Sequence, residues 1–222
     1  MASLLNATLD HVFIFCSVGG AEAEALTRLG LEEGSANTHP GQGTACRRFF
    51  FSDAYLELLW VSDPLEAQSA AVLPTGLSER WSMRGDGACP FGIVLRPTDD
   101  TVDVEPPFAS RPYKTQYMPP GVSIDVALET PLAGPAFFYL GFQRGAARRG
   151  QEPVGHELPA KSLTGVTVWR PASGDSQAAR SLQAAGLVTF HDADDYLLEL
   201  RFEGAGTGRA ELRPALPLTL RW

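Results

Sequence analysis

The chain has 222 residues, 44% of them hydrophobic and 20% charged, usage that suits a globular fold with its own core and excludes a mainly disordered chain or a coiled coil. Lys and Arg total 18 against 26 Asp and Glu, a net charge of −8 that opposes attachment to phosphate backbones or anionic lipid, so neither nucleic acid nor a membrane is an expected partner. Three scattered cysteines, Cys16, Cys46 and Cys89, make neither a disulfide framework nor a CxxC metal site; with no basic leader and no apolar run of ~20 residues, a cytoplasmic protein is expected.

Residues 9–15 (LDHVFIF) are dense in β-branched and aromatic side chains and read as a first strand ended by Gly19 and Gly20. Helix formers fill 21–29, and Gly30 stands where a left-handed cap belongs. A strand is predicted over 31–36, a loop over 39–43, and strands over 44–51 and 55–61 joined by a turn at Ser52-Asp53. A helix plus a loop is expected over 64–90, a strand over 91–96, a proline-rich loop over 98–120, and strands over 122–129 and 136–142. Residues 165–169 read as another strand, Asp175 as an N-cap and 176–185 as a helix before Gly186. Leu29-Gly30-Leu31 and Ala185-Gly186-Leu187 hold the same place in two β–α stretches, which an internal duplication explains.

Strand alternation puts His11 on one face with Leu9, Phe13 and Phe15, and Glu57 on one face with Tyr55, Leu59 and Val61. A carboxylate in an apolar row pairs, protonates or binds a metal. Two readings therefore stand. In one, Glu57 pairs with Arg47 or Arg48 and His11 is a hydrogen-bonded core residue; in the other they are ligands for Zn²⁺, Mn²⁺, Fe²⁺ or Ni²⁺, or Glu57 is a general base. Arg47 and Arg48 point to opposite faces of their strand, so one of them can meet an anionic ligand. Trp60, Trp81, Tyr113, Tyr117 and Tyr139 line a pocket or belong to the core. Cys46 lacks any nearby triad context and reads as structural, and Arg144, Arg148 and Arg149 read as a solvated loop. The sequence carries no GxxxxGK[ST], GxSxG, HExxH or GxGxxG motif.

The segments LDHVFIF, HPGQGTACRRFFF and AYLELLW, in that order around a short helix, resemble the glyoxalase-like branch of the vicinal oxygen chelate superfamily. Weaker similarity continues through AFFYLGFQ, His156 and LTGVTVWRP. The resemblance implies an α+β fold of repeated βαβββ modules that form a cup-shaped mixed sheet with short helices outside. It also implies a single domain over 1–222, with pseudo-repeat modules at about 9–61 and 163–222 and a β segment at about 91–142 between them.

In metal-dependent members one residue on the first strand and one on the fourth strand of a module point into the cup. His11 and Glu57 match those positions, with Glu57 also the catalytic candidate. YLLELRF resembles YLELLW and suggests Glu199 as a third ligand, with Glu211 and Tyr139 as competitors; Gly165 stands where a second histidine would be. His39 is placed near the cup mouth, and His39, Arg47, Arg48, Trp60, Tyr139 and His156 are the expected substrate contacts. The implied function is binding of a small, oxygen-rich organic molecule, with a divalent metal supporting lyase, isomerase or dioxygenase chemistry. The alternative is a metal-free protein that sequesters an antibiotic or metabolite. Modules can pair within one chain or in a homodimer.

Overall fold

The computed structural model describes residues 6–98, 105–115, 117–142, 152–204 and 206–222; Arg144, Arg148 and Arg149 lie outside them. The first half of the chain runs β1 (Ala7–Phe15), α1 (Ala23–Arg28), β2 (Asn37–His39), β3 (Thr44–Phe50), β4 (Tyr55–Val61), α2 (Pro64–Ala67) and α3 (Leu77–Ser82). The order continues β5 (Phe91–Pro97), β6 (Ser110–Tyr113), β7 (Ile124–Ala127), β8 (Ala136–Tyr139), β9 (Ser162–Arg170), α4 (Gln177–Ala184), β10 (Thr189–Asp192), β11 (Leu197–Glu203), β12 (Arg209–Glu211) and β13 (Leu218–Arg221). This is the mixed α+β class expected from the sequence.

Local chemistry sets the helix ends. Asp63 accepts from the amides of Leu65 and Glu66 and opens α2, with Pro64 in the first turn. Ser176, rather than Asp175, caps α4 by accepting from the Ala179 amide. Gly30, at φ 97°, turns the chain after α1 where a side chain would be strained. Two predicted elements shift. The strand expected over 31–36 forms instead at Asn37–His39, just before and into the first residue of the predicted loop, and the proline-rich loop over 98–120 contains β6.

Eight strands form one sheet in the order β2-β3-β4-β1-β5-β8-β7-β6. It is two modules back to back. β1 runs parallel to β4 and β5 parallel to β8, and the modules meet where β1 and β5 pair antiparallel. The strand that opposes Glu57 at Phe13 and the strand that opposes Ala136 at Gly92 keep the same separation along the chain. The sheet is thus completed by residues 91–139, not by the C-terminal segment.

The C-terminal segment makes its own five-stranded sheet, β10-β9-β11-β13-β12. Its alternation of parallel and antiparallel pairs matches β4-β1-β5-β8-β7 of the large sheet. By that match β9 corresponds to β1, β10 to β4 and β11 to β5.

Side chains of alternate residues divide the large sheet into two faces. Val12, Ile14, Leu56, Leu58, Ile93, Leu95, Phe137 and Tyr139 pack with Val166, Val168, Leu198, Leu200, Leu218 and Leu220 of the small sheet in one continuous core. Phe13, Phe15, Cys46, Leu59, Val94, Val126 and Phe138 form a second cluster on the opposite, cup-lining face. The connection between β7 and β8 is tied down by Arg80, 2% exposed, whose guanidinium donates to the carbonyls of Thr130, Pro131, Leu132 and Gly134. No helix among the described residues is long and apolar enough to cross a membrane.

Candidate ligand site

The cup holds a cavity of about 170 Å³ whose floor is β1, β4 and β5 and whose mouth is β2 and the segment before β7. Its wall is apolar on one side, with Val94, Ile124, Phe138, Leu140 and Phe142, and polar on the other, with His11, Asn37, His39, Gln42, Arg48 and Glu57.

His11 and Glu57 are the buried charged pair of this wall. His11 Nε2 stands 3.2 Å from Glu57 Oε2, and the imidazole stacks on Tyr55 with ring centres 4.2 Å apart. The other ring nitrogen, Nδ1, meets Asp10 Oδ1 at 2.7 Å. Neighbours along a regular strand point to opposite faces, so this contact needs a break in the alternation. The β1–β5 register shifts between Leu9 and His11, a bulge at Asp10 that brings both side chains to the same side and sends Leu9 into the inter-sheet core. Leu9 and His11 therefore do not share a face, contrary to simple alternation. Asp10, which is 2% exposed, is braced in turn by Arg96 Nε at 3.4 Å. The Leu-Asp-His run is the only sequence trace of this arrangement, because alternation alone places Asp10 on the wrong side.

Burial by itself would push the His11 imidazole down, but its bonds to Asp10 and Glu57 outweigh burial and hold its pKa up at about 9. Burial would likewise raise Glu57, yet the hydrogen bond and charge of His11, with smaller help from His39 and Cys46, hold it down at about 2. At neutral pH the pair is an imidazolium and a carboxylate. Burial pushes the His39 pKa below its ordinary value and the Cys46 thiol far above its own.

Of the six expected substrate contacts, His39 and Arg48 line the cavity and four do not. His39 contacts the Tyr117 ring at the mouth, with ring centres 5.5 Å apart. Arg48 donates to Ser35 and lies over the Phe50 ring. Arg47 is on the reverse face of β3, where it binds Glu33, Glu24 and the Gly20 carbonyl. Trp60 packs on the inter-sheet core beside it, and Tyr139, 1% exposed, lies within that core. His156 bonds the Phe50 carbonyl and the Glu32 amide behind the sheet. Alternation explains the first three: each follows or precedes a cup-facing neighbour by one position. Tyr117, Asn37 and Gln42 join the wall, and Asn37 and Gln42 carried no sequence signal.

Glu199 is not part of this site. It lies on β11, the counterpart of β5 rather than of β4, and its carboxylate pairs with Arg201 and Arg221 on the small sheet. Glu211, on β12, pairs with Arg209 and Arg213. On β5 and β8, the second module's counterparts of β1 and β4, Gly92, Val94, Ala136 and Phe138 face the cup beside the pair, and none of them offers a metal donor. A metal shared between first and fourth strands of both modules does not fit these residues.

A family model described as "Glyoxalase-like domain" matches residues 9–123, just over half of the chain. The chain belongs to the glyoxalase-like domain family. The matched stretch holds the opening motifs that carried the glyoxalase-like resemblance. Among solved structures, a hypothetical protein from Staphylococcus aureus is similar over 97% of this chain and 98% of its own, at 12% identity and a TM-score of 0.52. That likeness is one of fold. Methylmalonyl-CoA epimerase from Mycobacterium tuberculosis is similar over 67% of this chain and 97% of its own, at 17% identity and a TM-score of 0.46. No curated protein matches the chain.

Proposed function

We propose that this glyoxalase-like chain binds a small, oxygen-bearing organic molecule in the cup and moves a proton on it. The observation that carries this reading is the His11–Glu57 pair, 3.2 Å apart and buried, opening onto a cavity whose far wall is apolar. Such a cavity orients a ligand by its two ends: carbon against Val94, Phe138 and Leu140, oxygen against the charged pair.

Glu57 is the base. Its carboxylate takes a proton from the carbon next to a ligand carbonyl, and the electrons of that C–H bond pass to the carbonyl oxygen. His11, protonated and oriented by Asp10, donates Nε2–H to the oxygen as it becomes negative. Return of the proton from Glu57 to the adjacent carbon completes an isomerase-type reaction, and departure of a neighbouring group with its bonding electrons completes a lyase-type one.

The test is a thermal-shift screen of small 2-oxo acids, 2-hydroxy acids and catechols. A ligand at a hundredfold excess over Kd adds about 2.7 kcal/mol, which raises Tm by roughly 5–11 °C for a chain of this size. The shift is expected to vanish in Glu57→Gln and His11→Gln variants. A shift retained in both variants, or no shift in the wild type, overturns the reading. A second reading, a protein that holds its ligand without turnover, is favoured by Val94 and Phe138 in the second module. Exchange of the ligand's α-proton in deuterated solvent separates the two, since a pure binder gives binding without exchange.

A further inference from the structure

Three adjacent strands bring a second set of donors to the same cup face. In the β2-β3-β4 ladder Asn37 pairs with Cys46, Cys46 with Leu59 and Arg48 with Glu57, so His39, Cys46 and Glu57 lie on one diagonal of one face. A nitrogen of His39, the Cys46 sulfur and a Glu57 oxygen all stand within 4.8 Å of one another. Among the described residues this is the one such group of three.

We propose that His39, Cys46 and Glu57 hold a zinc-class divalent ion within the first module alone. The inference deepens the reading above, because Glu57 and His39 line the ligand cavity and the ion would sit in its wall. The donor chemistry supports it. One thiolate, one imidazole and one carboxylate form a mixed set suited to Zn²⁺ or Co²⁺, and three protein ligands leave a fourth position open toward the cavity. The distances support it as well. Donors at ~2.0–2.3 Å from a tetrahedral ion stand ~3.3–3.8 Å from one another, so closure requires side-chain movements on the order of 1 Å.

The surroundings of His39 are those of a metal ligand. Its Nδ1 meets Thr44 Oγ1 at 2.9 Å, and Thr44 Oγ1 also accepts from Gln42 Nε2 at 2.8 Å. The Asn37 amide nitrogen lies 3.1 Å from Nε2. That network places the proton on Nδ1 and leaves Nε2 with its lone pair, the outer-shell arrangement that fixes a ligating imidazole. Asn37 is exposed and can turn aside. On binding, the Cys46 S–H bond breaks, the sulfur keeps the electron pair and bonds the ion, and one proton leaves to solvent.

The experiment uses the full chain without a histidine tag, stripped with chelator and titrated with Co²⁺ and then Zn²⁺. One ion per chain is expected, with a near-ultraviolet thiolate-to-cobalt charge-transfer band. Cys46→Ser should remove that band and weaken binding at least tenfold, and His39→Asn should weaken binding at least tenfold while leaving the far-ultraviolet circular dichroism of the stripped protein unchanged. Sub-stoichiometric metal in the wild type, or an affinity unchanged in both variants, overturns the inference; so does a cobalt spectrum without the thiolate band. The thermal-shift screen repeated on stripped protein keeps the two readings apart. Retained ligand binding with no metal binding removes this inference and leaves the proposed function standing.

Discussion

Gly92 is the point where the floor of the cup has no tolerance. It pairs with Phe13 across the β1–β5 junction, and the Phe13 ring lies over its backbone: a Cβ built at Gly92 falls 1.9 Å from Phe13 Cζ, 2.1 Å from Cε1 and 2.5 Å from Cε2. Gly92→Ala therefore cannot be accommodated by a small adjustment. The ring must lift by more than an ångström, and its flanks are held by Phe15 and Phe138, with ring centres 5.1 and 6.0 Å away. The open direction is the cavity, which Phe13 already lines.

Two terms of opposite sign decide the outcome. Replacing glycine in a strand gains about 0.4–1 kcal/mol by restricting the unfolded chain, whereas overpacking costs about 1–3 kcal/mol. The clash wins, by up to about 2.5 kcal/mol, and Tm falls by up to roughly 10 °C. Ligand affinity should fall at least tenfold in parallel, as the displaced ring takes up cavity space. Urea denaturation and the thermal-shift screen measure the two effects. Phe13→Leu in the Gly92→Ala background should return most of the stability. A Gly92→Ala protein as stable as the wild type, with ligand affinity intact, would refute the placement of the ring and with it the shape of the cup.

Arg80→Met removes a guanidinium that serves the carbonyls of Thr130, Pro131, Leu132 and Gly134. Leaving these acceptors without a donor should cost at least about 3 kcal/mol, seen as a lowered urea midpoint. Glu199→Gln should leave ligand binding and cobalt binding unchanged, with stability altered by no more than about 1 kcal/mol, because its ion pairs with Arg201 and Arg221 are to exposed side chains. Loss of either binding would contradict its place on the small sheet. His156 is buried enough to lower its pKa from 6.5, and its neutral form accepts the Glu32 N–H at Nδ1 while donating to the Phe50 carbonyl. The unfolded chain takes up that proton first as pH drops through 6.5, so stability falls there. His156→Gln should flatten this part of the profile, and equal slopes in the two proteins would show that His156 does not titrate in this way.

Much of the first module was legible because its strands follow a two-residue alternation and its helix ends on a glycine. His11 and Glu57 reach one cavity as that pattern requires, while His39 was placed there by the resemblance and alternation left Arg48 and Arg47 undecided. The pattern breaks at Asp10, where a bulge reverses the sense of alternation between Leu9 and His11. No residue type announces a bulge of this kind, so the brace on His11 was invisible. Trp60 and Tyr139 were read by residue type, as aromatics fit for a pocket, while parity places both in the inter-sheet core. Cys46 shows the reverse error. It shares parity with Arg48, and the β3–β4 register puts it diagonally across from Glu57, but without the register a lone cysteine carries no information.

Glu199 was misplaced by matching strings rather than connections. YLLELRF and YLELLW look alike, yet the small sheet has lost the counterparts of β2 and β3, so the strand that follows β10 corresponds to the opening strand of the next module. The same logic explains why the cup is chemically lopsided. In the large sheet every cup-facing donor among His11, His39, Cys46, Arg48 and Glu57 belongs to the strands of the first module, and the second module answers with Val94, Ala136 and Phe138. Two modules of equal topology thus carry unequal tasks. A ligand satisfied by this cup must itself be unequal, with its oxygens gathered at one end, since oxygen buried against Phe138 or Leu140 would lose its hydration without gaining a partner.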